Sequence, residues 1–402
     1  MKKFPNLNEQ MDIIKRGIEE IIPEDELVKK IENSIKLNKP LKIKFGCDPS
    51  RPDLHIGHAI LLRKLRQFQN IGHIGILLIG DFTAMIGDPT GKNKTRPQIT
   101  IDETRQNAES YIEQAGIILN NDKLKVMYNS KWLNSMLFSD VIKLTSKYTV
   151  ARMLERDDFN KRFNNGIPIS VHEFLYPLAQ GYDSVHMNAD IELGGTDQKF
   201  NLLVGRYLQK EIGQVPQVII TAPLLEGTDG KEKMSKSYNN YIGLTDTPSE
   251  MYGKTLSIPD SMIAKYFEFG TTISQKKLDL IKTDLKNGTS NPRDLKRNLG
   301  RHIVSLYYND ETAYEAQKKF DDLFIKKSIP DDIIEYKVNK PEKLVHIMLG
   351  NNLIKSNGDA KRMIKQGAVK LNGKKVLDPL LVIKSGEKYT LKVGKRKFLR
   401  II

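Results

Sequence analysis

Two histidines three residues apart, His55 and His58, close the segment Gly46-Cys-Asp-Pro-Ser-Arg-Pro-Asp-Leu-His-Ile-Gly-His58. An alternating run, Leu41–Phe45, leads into it and a helical pattern from about Ile56 leads out, so it reads as strand, loop and helix start. Helix-start N–H groups favour phosphate, Gly57 lets a ligand approach the backbone, and two imidazoles can add donors to the same oxygens. A second segment, Gly230-Lys-Glu-Lys-Met-Ser-Lys-Ser237, is polar and glycine-flanked and predicts a mobile loop. Its Lys233 and Lys236 can bring positive charge to a departing pyrophosphate. In a third, 170–183, Ser170 and Glu173 have capping-box spacing. Tyr176, Gln180 and Asp183 then fall on one helix face, a polar lining suited to a small polar ligand, although Pro177 interrupts the pattern. Two weaker signals remain. Gly87–Arg96 has neither the spacing nor the Ser/Thr of a P-loop. Gly194-Gly-Thr-Asp-Gln198 puts Asp197 at a strand-to-helix turn, where a carboxylate can accept from ribose hydroxyls. Taken singly, each segment has a plainer reading: surface histidines, a solvated basic loop, or the exposed stripe of an amphipathic helix.

The elements around these segments alternate. Two helical patterns broken at Pro23 fill residues 6–37. After the Leu41–Phe45 strand come a helix to about Asn70, the apolar strand Ile74–Ile79, and the long polar loop Gly80–Pro97. Ala189–Leu193 reads as a short strand and Thr196–Lys210 as a helix. Such alternation predicts an α/β fold with a doubly wound parallel sheet. Patterns at Pro248–Leu256, Gln275–Lys286, Pro292–Tyr308 and Glu311–Ile325 are all helical. The expected organisation is an α/β catalytic unit over 1–245, an all-helical domain over 246–326, a linker at 327–341 and a small α+β unit over 342–402.

Charge is concentrated at the end of the chain. Lys and Arg number 64 against 49 Asp and Glu, a net +15. Residues 341–402 carry twelve lysines and three arginines against four acids, +11 of that total. Lys361, Arg362 and Lys365 cluster on one side of a short helix over 359–365. An Asn372-Gly373 turn then joins two strands bearing Lys370 and Lys374. A basic unit of this kind predicts a polyanionic partner such as nucleic acid. The single cysteine, Cys47, excludes an internal disulfide and cysteine-cluster metal sites. With no apolar run behind the first lysines and no stretch long enough to span a bilayer, a soluble, cytoplasmic protein without membrane association is expected.

Taken in order, the motifs resemble class I aminoacyl-tRNA synthetases: His55-Ile-Gly-His58, then Lys233-Met-Ser-Lys-Ser237. The intervening Gly87–Lys92, Tyr176-x-x-x-Gln180-x-x-Asp183 and Gly194–Gln198 segments resemble the tyrosine-specific family. Residues 341–402 resemble the S4-type RNA-binding domain that ends its bacterial members. The resemblance implies a Rossmann-like catalytic domain, L-tyrosine, ATP with Mg2+ and tRNA as partners, no tightly bound metal, and a homodimer, with Trp132–Met153 as the candidate interface. It further implies that ATP lies against Gly46, Asp48, Ser50, His55, Gly57, His58, Gly195 and Asp197. Lys233, Lys236 and Ser237 would close over the phosphates, joined by Lys92 and Arg96. Asp88, Tyr176 and Gln180 would hold the substrate ammonium, Gln198 would orient its carboxylate, Asn129 would line the site, and Asp183 would accept from the phenol. Lys361, Arg362, Lys365, Lys370 and Lys374 would meet tRNA. Many members carry a phenol-contacting tyrosine where this chain has Lys44, which either donates to the phenol oxygen or points away. Three rivals stand beside this reading: a tryptophan-specific synthetase, a small-molecule nucleotidyltransferase, and a non-catalytic RNA-binding relative.

Overall fold

A computed structural model describes residues 4–49, 53–90, 100–324, 334–394 and 397–402. They divide into two compact units, Met1–Tyr314 and Glu315–Ile402.

The first unit is built on a six-stranded sheet: β1 (Glu20–Ile22), β2 (Lys42–Cys47), β3 (Ile74–Ile79), β4 (Leu124–Tyr128), β5 (Ile191–Gly195) and β6 (Val218–Ala222), in the order β1-β6-β5-β2-β3-β4. All neighbours are parallel except β1, which runs antiparallel to β6. Every residue of β5 and β6 is buried, as expected of strands covered on both faces by crossover helices. From β2 the chain winds through β3 to β4 on one side, then returns through β5 to β6 on the other. The switch point lies between β2 and β5, and a doubly wound sheet opens its ligand crevice at the carboxyl ends of such strands. The fold is the α/β, doubly wound architecture that the alternation of elements predicted.

Strand Ile74–Ile79 and helix Ile56–Asn70 occupy the predicted residues. The Ala189–Leu193 strand lies at Ile191–Gly195, and a single turn, Thr196–Gln198, precedes the helix Lys199–Glu211. β1 was not foreseen; three residues are too few to show alternation. The helix Val171–Met187 runs through Pro177, so one missing donor did not break it against its tertiary packing. Five helices follow between Pro248 and Phe324, including Ile263–Gly270, which sequence periodicity missed.

In the second unit, β7 (Glu335–Tyr336), β9 (Val369–Leu371), β10 (Lys374–Lys375), β12 (Tyr389–Val393) and β13 (Lys397–Ile401) form a sheet ordered β10-β9-β12-β13-β7, while β8 (Glu342–Lys343) pairs with β11 (Val382–Ile383). Helices Leu344–Gly350 and Asn357–Lys365 complete it. Leu344, Ile364, Val369, Leu391 and Leu399 are among its core. Both residues of the Asn372-Gly373 turn have positive φ, 45° and 80°, the conformation that asparagine and glycine favour in tight hairpins.

Candidate active site

A cleft of about 750 Å³ opens where β2 and β5 end. It gathers side chains from segments far apart in sequence. From the first motif it draws Gly46, Asp48, His55, Gly57 and His58. The helix Val171–Met187 supplies Tyr176, Gln180 and Asp183. Gly195, Asp197 and Gln198 follow β5, Lys233 and Lys236 come from the basic loop, and Asp88 and Lys44 complete the set. Asn129 is not among the lining residues. It stands behind Asp183, donating to its Oδ2 at 3.1 Å and to Thr83 Oγ1 at 3.0 Å. Ser50, Lys92 and Arg96 lie outside the described residues, as does the side chain of Ser237.

His55 caps the helix that begins at Ile56, and its ring centroid is 3.9 Å from that of His58. A Cβ at position 57 would come within 3.0 Å of the His55 ring, so glycine permits this packing. Burial, reinforced by His58, Lys236 and Lys233, pushes the His55 pKa well below the usual imidazole value. Burial and the same two lysines bring His58 down to about 4. Both rings are therefore neutral near pH 7. His58 Nδ1 accepts from the His55 N–H at 3.3 Å, which in a neutral imidazole leaves Nε2 as the protonated donor.

The basic loop is tied down by bonds that its composition did not reveal. Glu226 and Lys233 form an antiparallel bridge, and the Met234 N–H donates to Leu225 O at 2.8 Å. Met234 is buried. Asn240, also buried, accepts from the Ser235 N–H at 2.8 Å and donates to Asp229 Oδ2 at 2.9 Å. Lys233 Nζ sits 3.0 Å from Asp197 Oδ2, and Lys236 Nζ is 3.4 Å from Asp53 Oδ2.

The opposite group of side chains centres on a buried carboxyl, Asp183. Asp183 accepts from Trp132 Nε1 at 2.8 Å as well as from Asn129. Burial pushes its pKa up to about 7, against the opposing pull of Lys44 and these donors. Tyr176 donates to Asp48 Oδ2, and Thr83 to Asp48 Oδ1, both at 2.8 Å. Asp88 accepts from the Thr90 backbone N–H and hydroxyl, and from Gln198 Nε2 at 2.9 Å. Burial works to raise its pKa, but Arg156 at 3.5 Å and these donors hold it below the usual range.

Sequence reading had not assigned Trp132, Thr83, Arg156, Glu192 or Asn240 to the site. Trp132 carried a usable signal, as the only tryptophan, but it had been read as part of an interface; the structure buries it and its neighbour Leu133. Arg156 and Glu192 carried no local signal, since their partners are distant in sequence.

Residues 36–325 match the family model "tRNA synthetases class I (W and Y)", and residues 325–401 match "Tyrosine--tRNA ligase SYY-like C-terminal domain". The tyrosine--tRNA ligase of Carboxydothermus hydrogenoformans is 53% identical over 405 residues, covering 98% of each chain. The chain belongs to the tyrosine branch of the class I tRNA synthetases. That of Salinibacter ruber is 51% identical, covering 99% of this chain and 97% of its own. Among solved structures of the branch, tyrosyl-tRNA synthetase from Archaeoglobus fulgidus, complexed with L-tyrosine, aligns with a TM-score of 0.64 and 25% identity over 78% of this chain and 100% of its own. The matches decide for the tyrosine family over the tryptophan-specific and nucleotidyltransferase rivals.

Proposed function

We propose that this chain joins L-tyrosine to its tRNA in two steps: tyrosine and ATP give tyrosyl-adenylate and pyrophosphate, then the terminal adenosine hydroxyl of the tRNA attacks the tyrosyl carbonyl and AMP departs as the acyl–phosphate bond breaks. The single observation that carries the reading is one cleft containing both a buried, donor-braced carboxyl, Asp183, and a cluster of neutral imidazoles and lysines at a helix start.

In the first step the substrate carboxylate attacks the α-phosphorus, and the bond to the departing pyrophosphate breaks. The attacking group is already a nucleophile, so the protein's work is placement and stabilisation of charge on the leaving oxygens. His58 Nε2–H and the helix-start amides donate to the phosphates, and neutral rings do so without competing for the lysines' counter-charge. Lys233 and Lys236 exchange Asp197 and Asp53 for phosphate oxygens, freeing Asp197 for the ribose. Asp88, Tyr176 and Gln180 take the ammonium, Gln198 steadies the carboxylate, and Asp183 accepts from the phenol hydroxyl. Magnesium enters on the nucleotide; among the described residues no group of three or more His, Cys, Asp or Glu is arranged to hold a metal.

Two further parts of the reading concern larger partners. Lys375, Lys370 and Lys392 fall in register across β10, β9 and β12. Like charges placed opposite one another destabilise a sheet, and a phosphate backbone would relieve that repulsion. Lys361, Arg362, Lys365 and Lys374 are exposed in the same unit. In the first unit, Leu137, Phe138, Ile142 and Val150 are exposed, a surface that a second copy of the chain would cover.

ATP–pyrophosphate exchange scanned over the twenty amino acids tests the activity. Tyrosine alone should support exchange; tryptophan alone, or none, would overturn the proposal.

A further inference from the structure

Lys44 lies at the wall of the cleft with its charge fully engaged. Lys44 and Glu192 are register partners on the adjacent parallel strands β2 and β5. Lys44 Nζ lies 2.7 Å from Glu192 Oε1, with side-chain exposures of 0% and 2%. It also donates to Ser184 Oγ at 2.8 Å and to the Gln180 carbonyl at 3.1 Å. An ammonium has three N–H groups, and here each has an acceptor. Glu192 is equally engaged, accepting at Oε2 from Ser184 Oγ at 3.0 Å and from Gln217 Nε2. Lys44 therefore has no N–H left for a substrate phenol. Its two contacts on the helix Val171–Met187, Gln180 and Ser184, bracket Asp183 in sequence.

We propose that Lys44 is a positioning residue for amino-acid specificity: paired with Glu192, it fixes the helix on either side of Asp183 and favours the charged, phenol-accepting form of that carboxyl, without touching the substrate. The proposal rests on the reading of Asp183 as that acceptor. Asp183 is faced by Lys44 from β2, by Glu192 from β5, and by the donors of Asn129 and Trp132, with His186 stacked behind Trp132. Of the two charged neighbours, Lys44 acts the more strongly on Asp183 and lowers its pKa.

The test compares Glu192→Gln with the double variant Lys44→Met/Glu192→Gln, because Lys44→Met alone would strand Glu192 as an unpaired buried charge. Glu192→Gln also leaves one buried charge, Lys44, and so should lower stability, but it keeps the ammonium on Ser184 and the Gln180 carbonyl and should retain the preference for tyrosine over phenylalanine in pyrophosphate exchange. The double variant should lose about tenfold in kcat/KM for tyrosine near neutral pH and little for phenylalanine, with the acid limb of the tyrosine profile moved to higher pH. Equal losses for the two amino acids, or an unmoved pH profile, would make the pair purely structural and overturn the proposal. So would equal damage from the single and double variants. Asp183→Asn separates the layers. If it leaves the tyrosine preference intact, the phenol reading itself falls. If it abolishes the preference while the double variant does not, only the role of Lys44 falls.

Discussion

The Lys44–Glu192 pair and the Lys233–Asp197 pair both line one cleft, yet they are built for different work. The first is sealed from water. The second is open, with Lys233 48% and Asp197 23% exposed. Breaking a buried pair by removing one partner costs about 3–5 kcal/mol, whereas an exposed pair contributes about 0–1 kcal/mol. A cation that must let go of a carboxylate and take hold of a phosphate within each turnover belongs in the second class. A group that must hold a specificity carboxyl in one place belongs in the first. In the proposed roles, the buried Lys44–Glu192 pair serves recognition and the open Lys233–Asp197 pair serves catalysis.

Variants in the basic loop should show the largest effect. Lys233→Ala or Lys236→Ala removes a donor to the leaving group, and transition-state donors of this kind contribute about 2.7–4 kcal/mol. Pyrophosphate exchange should fall roughly 100- to 1,000-fold with the tyrosine KM little changed; near-parental rates would end the leaving-group assignment. In the buried group, Asp183→Ala removes a charged acceptor contributing about 1.5–3 kcal/mol. The ratio of kcat/KM for tyrosine to that for phenylalanine should fall roughly 10- to 100-fold, and an unchanged ratio would refute the phenol contact.

A smaller effect is expected of Asn240→Ala, which unhooks the basic loop from Asp229 and the Ser235 N–H. Because it loosens Lys233 and Lys236 without removing them, kcat should drop about tenfold while tyrosine binding, followed by Trp132 fluorescence, stays parental. The smallest effect is the pH dependence. Asp183, with its pKa near 7, must be ionised to accept from the phenol. kcat/KM for tyrosine should therefore rise several-fold as pH increases through about 7, whereas that for phenylalanine should not. His58, near 4, and the still buried His55 should add no second limb between pH 5 and 8. A limb shared by both amino acids would assign the ionisation elsewhere.

The residues that line the cleft were legible because they come as short motifs at strand ends and helix starts, where backbone geometry and residue type speak together. The parallel sheet was legible from the alternation of elements, and the hairpin in the second unit from Asn372-Gly373. What escaped was set by distance along the chain. Lys44 finds Glu192 across 148 residues and Asp88 finds Arg156 across 68, and neither pairing leaves a local periodic trace. The anchors of the basic loop were hidden for a related reason: composition shows a polar, glycine-flanked loop, and not the buried asparagine and methionine that tie its base. In the Trp132–Met153 stretch, apolar residues alone could not tell core from surface. Trp132, Leu133, Leu144 and Met153 are buried, while Leu137, Phe138, Ile142 and Val150 face outward.

A crystal structure of the protein with a non-hydrolysable tyrosyl-adenylate analogue tests the division of the cleft most directly. It should place the phenol oxygen within hydrogen-bonding distance of Asp183, the phosphate-mimicking group beside His58 and the helix start, and the ribose on Asp197 with Lys233 displaced. Lys44 should remain on Glu192 throughout. A phenol oxygen bound to Lys44, or a ribose lying away from an undisturbed Lys233–Asp197 pair, would contradict it.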